Sequence, residues 1–147
     1  MSAGGITVGR AITEKPNLFK AGILNVAVLN ITRLEQSGNS MHVPEFGSVN
    51  DSIEYKYIAD MDVYNHIKAG VKYPSLLISA GINDPRLEWW QPGKAVAKFQ
   101  EVNSRENNVI LFNVTDFGHG GNPDKVKEFT TEYSFLFWQL NHNIKTK

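Results

Sequence analysis

The sequence predicts an α/β domain with a parallel sheet, and three observations carry the prediction. Three short apolar runs, residues 20–30 (KAGILNVAVLN), 74–82 (PSLLISAGI) and 108–117 (NVILFNVTDF), are rich in β-branched residues and have the length of strands. The first two are apolar on both sets of alternating positions, the pattern of strands covered on both faces. Helical periods separate the runs, and such alternation builds a parallel sheet through right-handed crossovers.

Each element has its own local warrant. Residues 3–14 can form a helix that stops at Lys15-Pro16, because the residue before proline is pushed out of the helical region. The first strand follows at 20–30. Residues 31–50, rich in Gly, Ser, Asn and Pro, read as a surface or site-covering loop, longer than an ordinary connection. Residues 52–69 place Ile53, Tyr57, Ile58, Met61, Tyr64 and Ile67 near a 3.6-residue period, which predicts one helix. Residues 90–102 do the same with Val96, Ala97, Phe99 and Val102. The last element, residues 123–143, is an amphipathic helix opened by Pro123-Asp124, with Val126, Phe129, Tyr133, Leu136, Phe137 and Leu140 on one stripe. Two crossovers moving the same way put the 52–69 and 90–102 helices on one face of a sheet ordered as in the sequence, and the last helix on the other.

Composition excludes several function classes. A 147-residue chain can bury roughly 70% of its unfolded surface, so one soluble domain needs no disulfide or metal to form a core. Fifteen Lys and Arg balance fifteen Asp and Glu, and no basic cluster forms, which argues against nucleic acid and anionic membranes as partners. No stretch reaches the roughly 20 apolar residues of a membrane helix, and the opening Met1-Ser2-Ala3-Gly4-Gly5 has no secretory pattern. With no cysteine, the compartment stays open between cytoplasm and periplasm. The three Asn-x-Ser/Thr triplets, at Asn30, Asn50 and Asn113, carry no weight without a secretion signal.

Ligands of open α/β sheets sit beyond the carboxyl ends of the strands, which directs attention to Asn83-Asp84-Pro85-Arg86 and Gly118-His119-Gly120-Gly121. An acid and an imidazole on adjacent loops there can meet, the acid fixing the tautomer of the ring. Taken separately, each segment also reads as a turn or a flexible connection. Ser2-Ala3-Gly4-Gly5 at a helix start changes the weighting. It is what remains of G-x-S-x-G when the first glycine is cut away, and Ser2, Asp84, His119 is the chain order of α/β-hydrolase triads.

These residues bring out a resemblance. Over essentially its whole length the chain resembles the C-terminal part of the catalytic domain of the prolyl oligopeptidase family of serine peptidases. The matching stretches are SAGG, TEKPNLF, HVPEFGS, YPSLLISAGINDPRL, GKAVAKFQ and DFGHGG, of which NDPR and GHG are specific for the family. The resemblance implies a truncated α/β-hydrolase fold of three parallel strands with flanking helices. It implies Ser2 as nucleophile, His119 as general base and acid, Asp84 as orienting carboxylate, the Ala3 amide in the oxyanion hole and Arg86 on a substrate carbonyl. No metal or organic cofactor is implied. Where the family carries a proline-stacking tryptophan, His42 aligns instead, so the resemblance does not extend to cleavage after proline. Trp89 and Trp90 are expected to pack at a cleft rim, and His66 and His142 to lie at the surface or at helix ends.

The resemblance further implies a serine-type peptidase lacking its β-propeller and the N-terminal half of the catalytic domain. Because one residue precedes Ser2, the nucleophile is expected to be poorly placed and hydrolysis weak or absent. The alternatives are an esterase of the same fold and a non-catalytic remnant acting by association. A peptide is the expected substrate of the intact family member. A two-fold dimer or higher oligomer is expected through the open edge of strand 20–30 or the apolar faces of the 3–14 helices.

Overall fold

The computed structural model describes residues 1–37, 39, 41–103 and 108–141. Strands β1 (Ala21–Asn25), β2 (Ser75–Gly81) and β3 (Ile110–Thr115) form a parallel sheet in the order β1-β2-β3. Leu24 lies opposite Ile78, and Ile78 opposite Phe112. The helices are α1 (Gly4–Glu14), α2 (His42–Phe46), α3 (Glu54–Met61), α4 (Val63–His66), α5 (Trp90–Val102) and α6 (Lys125–Gln139). Short 3₁₀ turns stand at Pro16–Leu18 and Ile31–Gln36.

One face of the sheet carries the main core. Leu24, Leu76, Ile78 and Ile110 pack with Ile12 of α1, Val63 of α4 and Ala95, Val96 and Phe99 of α5, while Tyr73 meets Phe99 edge to face at 4.9 Å. A second cluster of Val28, Ile31, Leu34, Ile58 and Leu87 fills the space beneath α3. Helix α6 covers the opposite face, against β1 and β2. The strand order and the division of helices between the faces agree with the reading of the sequence.

Three local departures have identifiable causes. The first apolar run is a regular strand only to Asn25, because Val26 takes φ 39°, a left-handed value that a β-branched residue rarely adopts. The Val26 N–H still reaches Ser79 O at 2.9 Å, and residues 26–30 stay buried. The 52–69 period divides at Asp62, whose Oδ1 accepts from the Asn65 N–H and caps α4. Its Oδ2 collects Asn30 Nδ2, Thr32 N and Thr32 Oγ1, so a fully buried carboxylate is satisfied by four donors only if the helix breaks there.

The third departure concerns α6, which lays Glu132, Phe135 and Gln139 on the sheet and leaves Val126, Phe129, Tyr133, Phe137 and Leu140 exposed. The strands beneath it present hydroxyls and an amide: Ser75 Oγ donates to Gln139 Oε1 at 2.6 Å, and Asn25 Nδ2 donates to Glu132. Hydrogen bonding on that face outweighs the apolar stripe in setting the helix rotation. The expected end of this helix, residues 142–143, lies outside the described residues.

Candidate active site

Beyond Asn25 the outer edge of the β1 chain holds Ser2 as a single-residue parallel bridge to Ala27. The Ser2 N–H donates to Asn25 O at 3.2 Å and Val26 O at 3.1 Å, and Ser2 O accepts from Val28 N at 3.0 Å and Gly5 N at 2.8 Å. Ser2 itself sits at φ 52°, a strained turn costing about 1–3 kcal/mol, with α1 leaving immediately after it. Helix α1 comes close enough because Gly5 has no side chain: a Cβ there would stand 2.5 Å from Ala27 Cβ. The expectation of a poorly placed nucleophile is therefore corrected. The edge backbone of residues 25–28 supplies the support that the sequence reading sought in a preceding strand.

The other two residues come from the loops after β2 and β3. Asp84 Oδ1 accepts from the backbone N–H groups of Arg86 at 2.8 Å and Leu87 at 3.1 Å, which fixes the carboxylate within its own turn. Its Oδ2 lies 2.7 Å from His119 Nδ1, and the Asp84 side chain is 1% exposed. Asn83 Nδ2 donates to Asp116 O at 2.6 Å and joins the two loops. Gly81 lets them approach, since a Cβ there would lie 2.1 Å from Phe117 O.

His119 Nε2 stands 2.9 Å from Ser2 Oγ. An ionised carboxylate only accepts, so the Nδ1 that faces Asp84 carries the proton and Nε2 offers its lone pair to the serine hydroxyl. The three residues singled out in the sequence thus form one continuous hydrogen-bonded chain. The Ala3 N–H, at the start of α1, has no acceptor among the described residues, as expected for a helix N-terminus. That makes it a free donor beside the serine, where negative charge is stabilised.

These groups open onto a cleft of about 460 Å³ whose lining includes Ser2, Ala3, His42, Arg86 and His119. The Arg86 side chain is exposed, while its carbonyl accepts from Asn39 Nδ2 at 3.3 Å. His42 is buried in that wall, at the position where the sequence reading places it instead of a substrate-stacking tryptophan. Trp89 and Trp90 are exposed and outside the cleft lining. His66 Nδ1 lies 2.7 Å from Asp62 O, a contact within one short helix, and His142 lies outside the described residues. Among the described residues no three His, Asp or Glu side chains group as a metal site.

Known proteins share this family and fold. The model of the prolyl oligopeptidase family matches residues 1–143. Protease 2 of Moraxella lacunata is 28% identical over 99% of this chain, which covers 22% of that protein. The prolyl endopeptidase of Elizabethkingia miricola is 29% identical over 81% of the chain and 17% of its own length. Among solved structures, one from a study of two prolyl endopeptidases superposes with a TM-score of 0.87 at 30% identity, over 97% of this chain and 22% of that one. Oligopeptidase B of Trypanosoma brucei with covalently bound antipain gives 0.87 at 26% identity, over 95% and 21%. The chain spans about a fifth of the length of these relatives. The architecture is that of the α/β-hydrolase fold, here three parallel strands with flanking helices.

Proposed function

The chain belongs to the prolyl oligopeptidase family of serine peptidases, and from that premise we propose that Ser2, His119 and Asp84 carry acyl transfer from peptide substrates. The carrying observation is the unbroken chain of contacts, 2.9 Å from Ser2 Oγ to His119 Nε2 and 2.7 Å from His119 Nδ1 to Asp84. Ser2 Oγ attacks the scissile carbonyl while His119 Nε2 takes its proton, and Asp84 stabilises the imidazolium that forms. The Ala3 N–H meets the developing oxyanion, and Arg86 holds a substrate carbonyl at the cleft. His119 then returns the proton to the leaving amine. Water, activated by the same imidazole, releases the acyl group from Ser2.

Residues 1–147 correspond, in this reading, to the C-terminal portion of a catalytic domain, a part and not the whole of relatives such as Protease 2, of which the chain covers 22%. Among the described residues Ala3 is the one oxyanion donor assigned, and loss of a single such donor costs about 10²–10³ in rate. Acylation of Ser2 and release of the acyl group both pass through that oxyanion, so both steps depend on the Ala3 N–H. The curated relatives carry protease and endopeptidase names, which favours peptides over an ester-only activity. We also infer self-association through the open β1 edge.

The direct test is labelling with a fluorophosphonate, followed by mass spectrometry of the modified peptide. One equivalent on Ser2, abolished in Ser2→Ala and strongly slowed in His119→Gln, is the expected result. No label on Ser2 in the wild-type chain refutes the assignment.

A further inference from the structure

We propose that Lys125, at the first position of α6, is a positioning residue for His119: its ammonium holds the Gly120 carbonyl and so keeps the imidazole between Ser2 and Asp84. This rests on the acyl-transfer reading of Ser2. Lys125 Nζ donates to Gly120 O at 2.7 Å and to Glu128 Oε2, also at 2.7 Å. Glu128 in turn lies against the loop, since Gly121 has φ 75° and a Cβ there would stand 2.8 Å from Glu128 Oε1. Inside the loop the Gly121 N–H donates to Gly118 O at 3.1 Å. Among the described residues, the Lys125 bond is the one hydrogen bond that ties the backbone of residues 118–121 to the rest of the molecule.

The need for such a tether follows from what surrounds the loop. The His119 ring is held at both nitrogens, by Asp84 and Ser2, yet nothing packs within 4 Å of where a Cβ would stand at Gly120. Glycine on both sides, at 118 and 120, leaves the backbone a wide choice of conformations, and the two ring contacts must work against that freedom. A charge-assisted bond to the carbonyl next to His119 narrows the choice. Local helix energetics give no reason for a lysine here, because a cation in the first turn opposes the helix dipole. Glu128, one turn further on, offsets that cost and aims the ammonium, which commits one proton to the carboxylate and one to Gly120. The charge itself acts against catalysis, since a cation near His119 disfavours the imidazolium that forms as Ser2 gives up its proton. Positioning and charge therefore predict opposite signs when the ammonium is removed.

The experiment measures the rate of fluorophosphonate labelling of Ser2 in the whole 147-residue chain, alongside a melting curve. Lys125→Met is expected to slow labelling about three- to tenfold at a nearly unchanged melting temperature, because an exposed ion pair adds little to stability while a loosened base is less often aligned with the serine. Lys125→Arg, which keeps a charged N–H donor, should recover most of the rate. Lys127→Met removes a charge from the same turn of α6 that makes no hydrogen bond to the loop, and it should label as wild type does. The decisive arm is His119→Gln, whose slow residual labelling no longer uses the imidazole: adding Lys125→Met there should change nothing. Wild-type or faster labelling in Lys125→Met, a loss shared by Lys127→Met, a loss that Lys125→Arg does not recover, or an equal loss in the His119→Gln background overturns the role of Lys125 and leaves the acyl-transfer reading standing. Failure of the fluorophosphonate to label Ser2 at all in the wild-type chain overturns both.

Discussion

Asp84 shows how much chemistry one side chain can fix. One oxygen is held by two backbone N–H groups, and the other faces His119. In Asp84→Asn the amide oxygen can keep the Arg86 and Leu87 bonds, so the turn should survive. The amide nitrogen then donates to His119 Nδ1, which drives the ring proton to Nε2 and turns a base facing Ser2 into a donor. The expected outcome is a fall of about 10³–10⁴ in the rate of Ser2 acylation at unchanged thermal stability, read by fluorophosphonate kinetics alongside a melting curve. A variant within tenfold of wild type contradicts the tautomer argument. Ser2, Asp84 and His119 were all legible from residue type, order and position beyond strand ends. The role of the edge backbone was not, because it depends on the bend at Val26.

Among the elements, α1 is held down by a contact that tolerates no side chain. Gly5→Ala would place Cβ 2.5 Å from Ala27 Cβ and 3.0 Å from Val28 N, and Val28 N is one of the groups that hold Ser2. The helix should lift by a fraction of an ångström, with about 1–3 kcal/mol of destabilisation and roughly a hundredfold loss of acylation. Denaturant unfolding and labelling rates measure the two effects. If stability falls without loss of labelling, α1 does not set the position of the nucleophile.

The segment after α2 is tied down by charge. Glu35 accepts from Val49 N at 2.7 Å, from Ser48 Oγ and from Asn50 Nδ2, and the Val49 bond, followed by that of Ser48, holds its carboxyl below the usual glutamate range. Asp51 is lowered likewise by the N–H groups of Glu54 and Ile53. A carboxylate whose pKa is lowered on folding stabilises the folded state above its ordinary value, about 4.3 for Glu, and loses that contribution as pH falls through the lowered value. Protection of the Val49 amide from hydrogen exchange is thus expected to be pH-independent near neutrality, after correction for intrinsic exchange, and to collapse in acid. In Glu35→Gln the acid-induced step should shrink, and an unchanged step would assign it elsewhere.

At the scale of the molecule, β1 and β3 are the edge strands of the sheet, and β1 is the edge at which association is expected. Ser75 N bonds Lys20 O and Val26 N bonds Ser79 O, whereas Asn25 O takes the Ser2 N–H, so even positions of β1 face β2 and odd positions face outward. The Ile23 N–H points to the open edge. A two-fold dimer pairing two such edges would continue the sheet across the axis. The apolar face of α1, the other surface expected to associate, is instead buried through Gly5, Gly9 and Ile12. Sedimentation velocity at micromolar concentration should therefore show a dimer that Ile23→Pro dissociates and Phe129→Glu, on the exposed stripe of α6, does not. A dimer lost only in Phe129→Glu would move the interface to α6, and a monomer at all concentrations would remove it.

What the sequence determined by itself was everything encoded locally. Three β-branched runs separated by helical periods specify parallel strands and their order, because side-chain periodicity and crossover handedness act over a few residues at a time. The Ser2, Asp84, His119 order pointed to the proposed chemistry, because each residue type occurs where a strand end or helix start must lie. What only the tertiary structure decided were the outcomes of competition between distant groups. Asp62 breaks a continuous apolar period because Asn30 and Thr32 arrive from another segment. Helix α6 turns its aromatic stripe outward because Ser75 and Asn25 offer hydrogen bonds on the face it covers. His42 is buried, with no hydrogen-bond partner among the described residues, because the long connection folds back at the cleft. Ser2 is in place because the bent chain after β1 holds it from the side, and the pairing of residues 2 and 27 exists only once the sheet has formed.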